Sequence, residues 1–131
     1  MTEIIAATVF TILTGIVIIF QGCLAAGLPW GAASMGGKYP GKYPPKMRIV
    51  AIINMLVLGF AAAIVLSAAD ILFSQLKPIV RVGIWFVVGF YSIATILNTI
   101  TPSKIERIWA PVALLQAITS SIVAIGCVLK A

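Results

Sequence analysis

Histidine is absent from this 131-residue chain, carboxylates are limited to Glu3, Asp70 and Glu106, and the only cysteines are Cys23 and Cys127. Without an imidazole the chain cannot build His-ligated haem, the usual zinc sites, or the Ser-His and Cys-His pairs of nucleophilic catalysis. Three acids at different ends of different segments are equally unsuited to a carboxylate-bound metal. The cysteines make no C-x-x-C pair and no disulfide framework. With no nucleophile and base to assemble, an enzyme is not expected, nor is a metal or a cofactor.

Charge is scarce too. Charged residues are 9% of the chain and hydrophobic residues 62%, against roughly 25% and 45–50% in a soluble domain. A water-soluble core has no place for that much apolar surface. The net charge of +6 does not point to nucleic acid, because the basic residues flank long apolar runs and form no basic face on a polar domain. One transmembrane domain over residues 1–131 is expected.

What is present is four apolar runs, at about residues 4–28, 49–72, 79–97 and 112–129, each near the ~20 residues that cross a hydrocarbon core. The first is not read as a signal peptide, because Met1-Thr2-Glu3 carries no positive side chain and the run is too long for an h-region. The second and third are joined by a tight turn, with Pro78 suited to the first position of the following helix. The third and fourth are joined by Pro102 to Ala110, where Ser103 and Glu106 have the spacing of a capping box. That spacing predicts a helical turn at the interface. The expected fold is an all-α membrane protein, four transmembrane helices in an antiparallel bundle, with a long basic Gly/Pro-rich loop between the first two.

Orientation follows from Lys and Arg. The first and third connections hold Lys38, Lys42, Lys46, Arg48, Lys104 and Arg107, and the opposite side holds Lys77, Arg81 and Lys130. The positive-inside rule then puts both termini of a multi-pass cell-membrane protein outside the cytoplasm. Cys23 and Cys127 fall at opposite faces and should not pair.

The loop from Leu28 to Arg48 contains Gly-Lys-Tyr-Pro twice in tandem, at 37–40 and 41–44. Its Lys38, Lys42, Lys46 and Arg48 lie where each basic residue gains about 1 kcal/mol from anionic lipid, and they are the expected contacts for lipid or a partner. Trp30, Tyr39, Tyr43 and Trp109 suit the interface as anchors. Pro29 to Gly37 is small and weakly apolar, and it either runs over the surface or dips back among the helices.

Within the spans, Gly59, Ala63 and Ser67 recur at four-residue steps, a small-residue face for packing within the chain or against a second copy. Thr, Ser and Gln recur on one face of the other helices, which suggests a mildly polar interior. Asp70 and Arg81 each lie about five residues, or roughly 8 Å of helical rise, from the turn between the second and third spans. They are expected to form an ion pair at matching depth, since an unpaired charge at the bilayer centre costs at least about 2.5–3.5 kcal/mol. Snorkelling of both side chains, or a proton- or cation-carrying Asp70, are the alternatives.

Ala26-Gly27-Leu28-Pro29-Trp30-Gly31, then Gly36-Gly37, Pro40-Gly41, Pro44-Pro45 and Met47-Arg48, and later Pro102-Ser103, Glu106-Arg107 and Trp109-Ala110-Pro111-Val112, give a pattern that resembles small uncharacterised four-helix membrane proteins of bacteria. The resemblance covers most of the chain and implies no activity or site. Small multidrug transporters, by contrast, use a carboxylate inside the first helix, where this chain has Glu3 at the very end. The expected role is structural or accessory in a bacterial inner membrane, touching anionic lipid through the basic loop, with a second copy or a membrane protein as partner. The alternative is a small oligomeric transporter or channel that uses the polar helix faces and Asp70.

Overall fold

A computed structural model describes residues 1–130. The described residues are 82% helical and contain no strand. Four long helices, α1 (Thr2–Ala26), α2 (Pro45–Ala68), α3 (Lys77–Ile100) and α4 (Trp109–Leu129), are joined by short 3-10 turns at Gly31–Ala33, Met35–Gly37, Ser74–Leu76 and Glu106–Ile108. All four are long and apolar enough to cross a membrane.

The starts and stops have local causes. Gly27 ends α1 in the left-handed region, φ 97°, and the Gly27 and Leu28 amides return to Leu24 and Cys23 carbonyls. That is the helix-stop geometry glycine makes cheap. Pro45 opens α2 at its first turn and Pro78 does so for α3, where a missing N–H costs nothing. α2 ends at Ala68, earlier than the expected Leu72, because Asp70 leaves the helix with φ 62° and its amide bonds back to Ser67 O. Asp is one of the few non-glycine residues that accept this conformation.

One end of the molecule gathers the start of α1, the ends of α2 and α4, and the start of α3. Lys130 Nζ lies 3.3 Å from Glu3, Cys127 Sγ donates to Ala68 O at 3.2 Å, and Lys77 Nζ donates to the same oxygen at 2.6 Å. A bare α2 carbonyl is thereby satisfied by two neighbouring helices. Above it lies a close-packed core that includes Ala7, Phe10, Val65, Ile84, Val123 and Ala124. α4 is the most enclosed helix, with 50% of its span buried against 22% for each of the others.

Outward side chains are large and apolar, among them Leu56 (71% exposed), Phe60 (69%) and Phe86 (76%). In water such a surface would drive association, whereas in lipid it is the ordinary exterior. A nearly wholly apolar groove of about 540 Å³ opens between α2 and α3, from Phe73 and Leu76 to Val57 and Phe90.

Gly59 does not pack within the chain. α2 turns Leu58, Ala61, Val65 and Ala68 inward, while Gly59 is exposed, and a Cβ placed on it would meet no atom within 4 Å. Ala63 and Ser67 line the apolar groove. Of the four-residue repeat only Ser67 joins the buried stripe of α2, which is made mostly of small residues, Ala51, Ala61 and Ala68 beside Leu58 and Val65.

A loop-capped cavity at the basic end

The opposite end is built by the long loop folding onto the α3–α4 connection. Gly31 N–H donates to Gly41 O at 2.9 Å, closing the loop on itself. A Cβ on Gly31 would overlap Tyr39 O and lie 2.7 Å from Gly41 O, so only glycine fits. Gly31, Ala33 and Ser34 are buried, so the middle of the segment from Pro29 to Gly37 is packed against protein, while Pro29, Trp30 and Met35 are exposed.

The two Gly-Lys-Tyr-Pro copies repeat in structure as well as in sequence. Gly37 and Gly41 both turn the chain with positive φ, 74° and 78°, and Lys38 and Lys42 are both exposed. Tyr39 and Tyr43 meet edge to face at 6.0 Å, with Tyr43 only 3% exposed. The buried Tyr43 hydroxyl has no hydrogen-bond partner of normal geometry, although Ser34 lies near. Burial, chiefly, and the nearby Glu106 and Tyr39 push its ionisation above the ordinary tyrosine range, with Ser34 pulling the other way.

Three side chains clamp the loop. Trp109 Nε1 donates to Ala33 O at 3.0 Å, Ser103 Oγ donates to Ala32 O, and the Glu106 carboxylate accepts the Gly36 N–H at 3.1 and 3.3 Å. Glu106 also accepts from the Thr101 hydroxyl. The capping-box spacing is half used: Ser103 Oγ accepts the Glu106 N–H at 3.3 Å, but the Glu106 side chain goes to the loop and Thr101 Oγ1 takes the Ser103 N–H.

Beneath this clamp lies a cavity of about 220 Å³. It is lined next to the clamp by Ser34, Glu106 and Trp109, and further along the helices by Gln21, Asn54, Asn98, Tyr91 and Gln116, with half-exposed Val57 and Phe90 on its flank. Gln116 is 2% exposed and donates to Thr14 Oγ1 at 3.0 Å, and the buried Tyr91 hydroxyl, near the same Thr14, has no hydrogen-bond partner of normal geometry. Phe20 stacks against Trp109 at 4.8 Å, and Phe10 closes on Tyr91 at 5.1 Å. Past Phe10 the close-packed core begins. Many other polar side chains of the spans, including Thr8, Thr11, Ser92 and Thr95, bond to the carbonyl four residues earlier and stay on their own helix.

The residues singled out by sequence are divided among these places. Lys38, Lys42 and Lys46 are exposed, and Trp30 is 48% exposed. Arg48 turns back, its Nε donating to Ala25 O at 2.7 Å, and so caps α1. Tyr43 and Trp109 are locking groups of the loop. Asp70 pairs with Lys77 at 3.0 Å, not with Arg81, because the early end of α2 carries its carboxylate into the turn where Lys77 begins α3. Arg81 Nε is buried without a partner. Cys23 and Cys127 are both free. Glu106, read from sequence only as a cap, is the carboxylate that lines the cavity. No protein family, curated protein or solved structure matches the chain.

Proposed function

We propose that the chain is an accessory integral membrane protein, an antiparallel four-helix bundle in a bacterial inner membrane, whose basic loop end docks on the anionic cytoplasmic leaflet. One observation carries this reading: the distribution of uncompensated charge between the two ends. Away from the loop Glu3 is shared by Lys130 and the amino terminus and Asp70 pairs with Lys77, so that with Arg81 four positive groups face two acids, an excess of two. At the loop end Glu106 is folded inward, and Lys38, Lys42, Lys46, Lys104 and Arg107 are exposed. Exposed Trp30, Met35, Ile105 and Ile108 share that end. Apolar groups among basic ones suit a surface held in the headgroup layer. Both termini are then outside the cytoplasm.

The role of that surface is structural: it fixes depth and concentrates anionic lipid, or a partner that sits among it. The test is native mass spectrometry of the protein released from nanodiscs of mixed zwitterionic and anionic phospholipid. Retained anionic lipid is expected with the native chain and should fall sharply in the Lys38→Gln, Lys42→Gln, Lys46→Gln variant. Equal retention by both would sink the proposal.

A transporter reading draws on the cavity, but it would use Glu106, since Asp70 sits exposed in a turn with Lys77. Flux in liposomes that is abolished by Glu106→Gln in a folded protein would favour transport over the accessory role.

A further inference from the structure

We infer that the loop-capped cavity is a binding site for a small organic cation, an alkyl- or arylammonium ion. Such a site is independent of the lipid-docking role, because the lysines that serve that role do not line the cavity.

Charge selection is the first ground. The chain has nine basic residues and three acidic ones, yet the cavity is lined by one acid and no base. Among the described residues Glu106 alone of the carboxylates has no ion pair. Its donors are neutral, the Gly36 amide and the Thr101 hydroxyl, so its negative charge is oriented but not cancelled. A half-buried carboxylate normally finds a positive partner. Here the cavity is where that partner would sit.

The walls supply the second ground. Phe20 and Trp109 pack together beside Glu106, and Tyr91 and half-exposed Phe90 also line the cavity, so a cation within it would meet aromatic rings that attract it. The Gln21 and Asn54 carboxamides line the cavity, and the hydroxyl of Tyr91, 3% exposed, lies near Thr14 but makes no hydrogen bond of normal geometry. A buried hydroxyl left open in this way calls for a hydrogen-bonding occupant. The volume lies below the roughly 300–1,000 Å³ of drug-sized sites, which restricts the occupant to a small ion.

The full chain in zwitterionic nanodiscs, titrated calorimetrically against empty nanodiscs, tests this with benzylammonium and tetramethylammonium beside the neutral benzyl alcohol and the anionic benzoate. Saturable, one-to-one uptake is expected for the two ammonium ions only. Glu106→Gln keeps an acceptor for the Gly36 amide and should weaken that uptake by at least about tenfold. Ala94 of α3 lines the cavity and makes no bond to the loop, so Ala94→Leu fills the cavity and should do the same with an unchanged melting temperature, which decides the matter if Glu106→Gln unfolds. Failure of the native protein to take up either ammonium ion, equal binding of benzyl alcohol or benzoate, or ammonium binding unchanged in both variants would each overturn the proposal.

Discussion

Replacing Gly31 by alanine is the sharpest test of how the loop is held. The added Cβ would overlap Tyr39 O and lie 2.7 Å from Gly41 O, both backbone atoms, so no side-chain rotation relieves the clash. The segment from Tyr39 to Gly41 must move away, and the Gly31–Gly41 hydrogen bond breaks with it. Overpacking costs about 1–3 kcal/mol and a lost hydrogen bond about 0.5–1.5, so the closed loop should lose about 2–4 kcal/mol. That loss raises the open population roughly 30- to 1,000-fold. Trypsin cleavage after Lys38 and Lys42 in nanodiscs reads this population, and cleavage of Gly31→Ala should accelerate accordingly. Gly36→Ala is the control: its Cβ meets no atom within 4 Å and only φ +66° opposes it, a cost of about 1–2 kcal/mol. A Gly31→Ala protein cut at the native rate would refute the close approach.

Asp70→Asn should leave stability within about 1 kcal/mol of native, as for an exposed ion pair, whereas Lys77→Met should cost more because it also uncovers Ala68 O; melting temperatures in detergent distinguish the two. The buried Gln116–Thr14 hydrogen bond should show a coupling of about 0.6 kcal/mol in a double-mutant cycle with Gln116→Leu and Thr14→Val, and additive losses would show the two side chains to be independent. Tyr43 gives a pH dependence. Its ionisation is raised above the ordinary tyrosine value of 10.0, so the neutral form is favoured in the folded loop. Its contribution is whole below about pH 10 and is lost as pH rises through the elevated value. Trypsin sensitivity should therefore increase above that pH in the native protein, and Tyr43→Phe should flatten the rise.

Four helices long enough to cross a membrane were legible in the apolar runs, because span length is a property of consecutive residues. The end of α2 was not. Hydropathy carries through Ile71 and Leu72, and nothing local announces that Asp70 will take a left-handed conformation and hand its carboxylate to Lys77. The Ser103 and Glu106 spacing predicted a turn, and a 3-10 turn is there at Glu106–Ile108. The destination of the Glu106 side chain is a backbone amide 70 residues away, which no short-range pattern encodes. The polar stripes divide between two uses, with Thr14, Gln116, Thr119 and Ser120 buried inside the bundle. Thr and Ser on a helix face bond to their own carbonyls as readily as they line an interior, and here Gln21, Asn54 and Gln116 define the cavity while most hydroxyls do not. The tandem Gly-Lys-Tyr-Pro was visible, but its use required the fold: two glycine turns that expose two lysines and bring two tyrosines together.

The most direct measurement of the central claim is the sidedness of the basic end. In a Cys23→Ala, Cys127→Ala background, single cysteines are placed at Lys42 in the loop and at Gln75 in the α2–α3 turn, and intact cells are treated with a membrane-impermeant maleimide. Labelling of the Gln75 position in intact cells, and of the Lys42 position only after permeabilisation, is the predicted result. Labelling of the Lys42 position in intact cells would contradict the account.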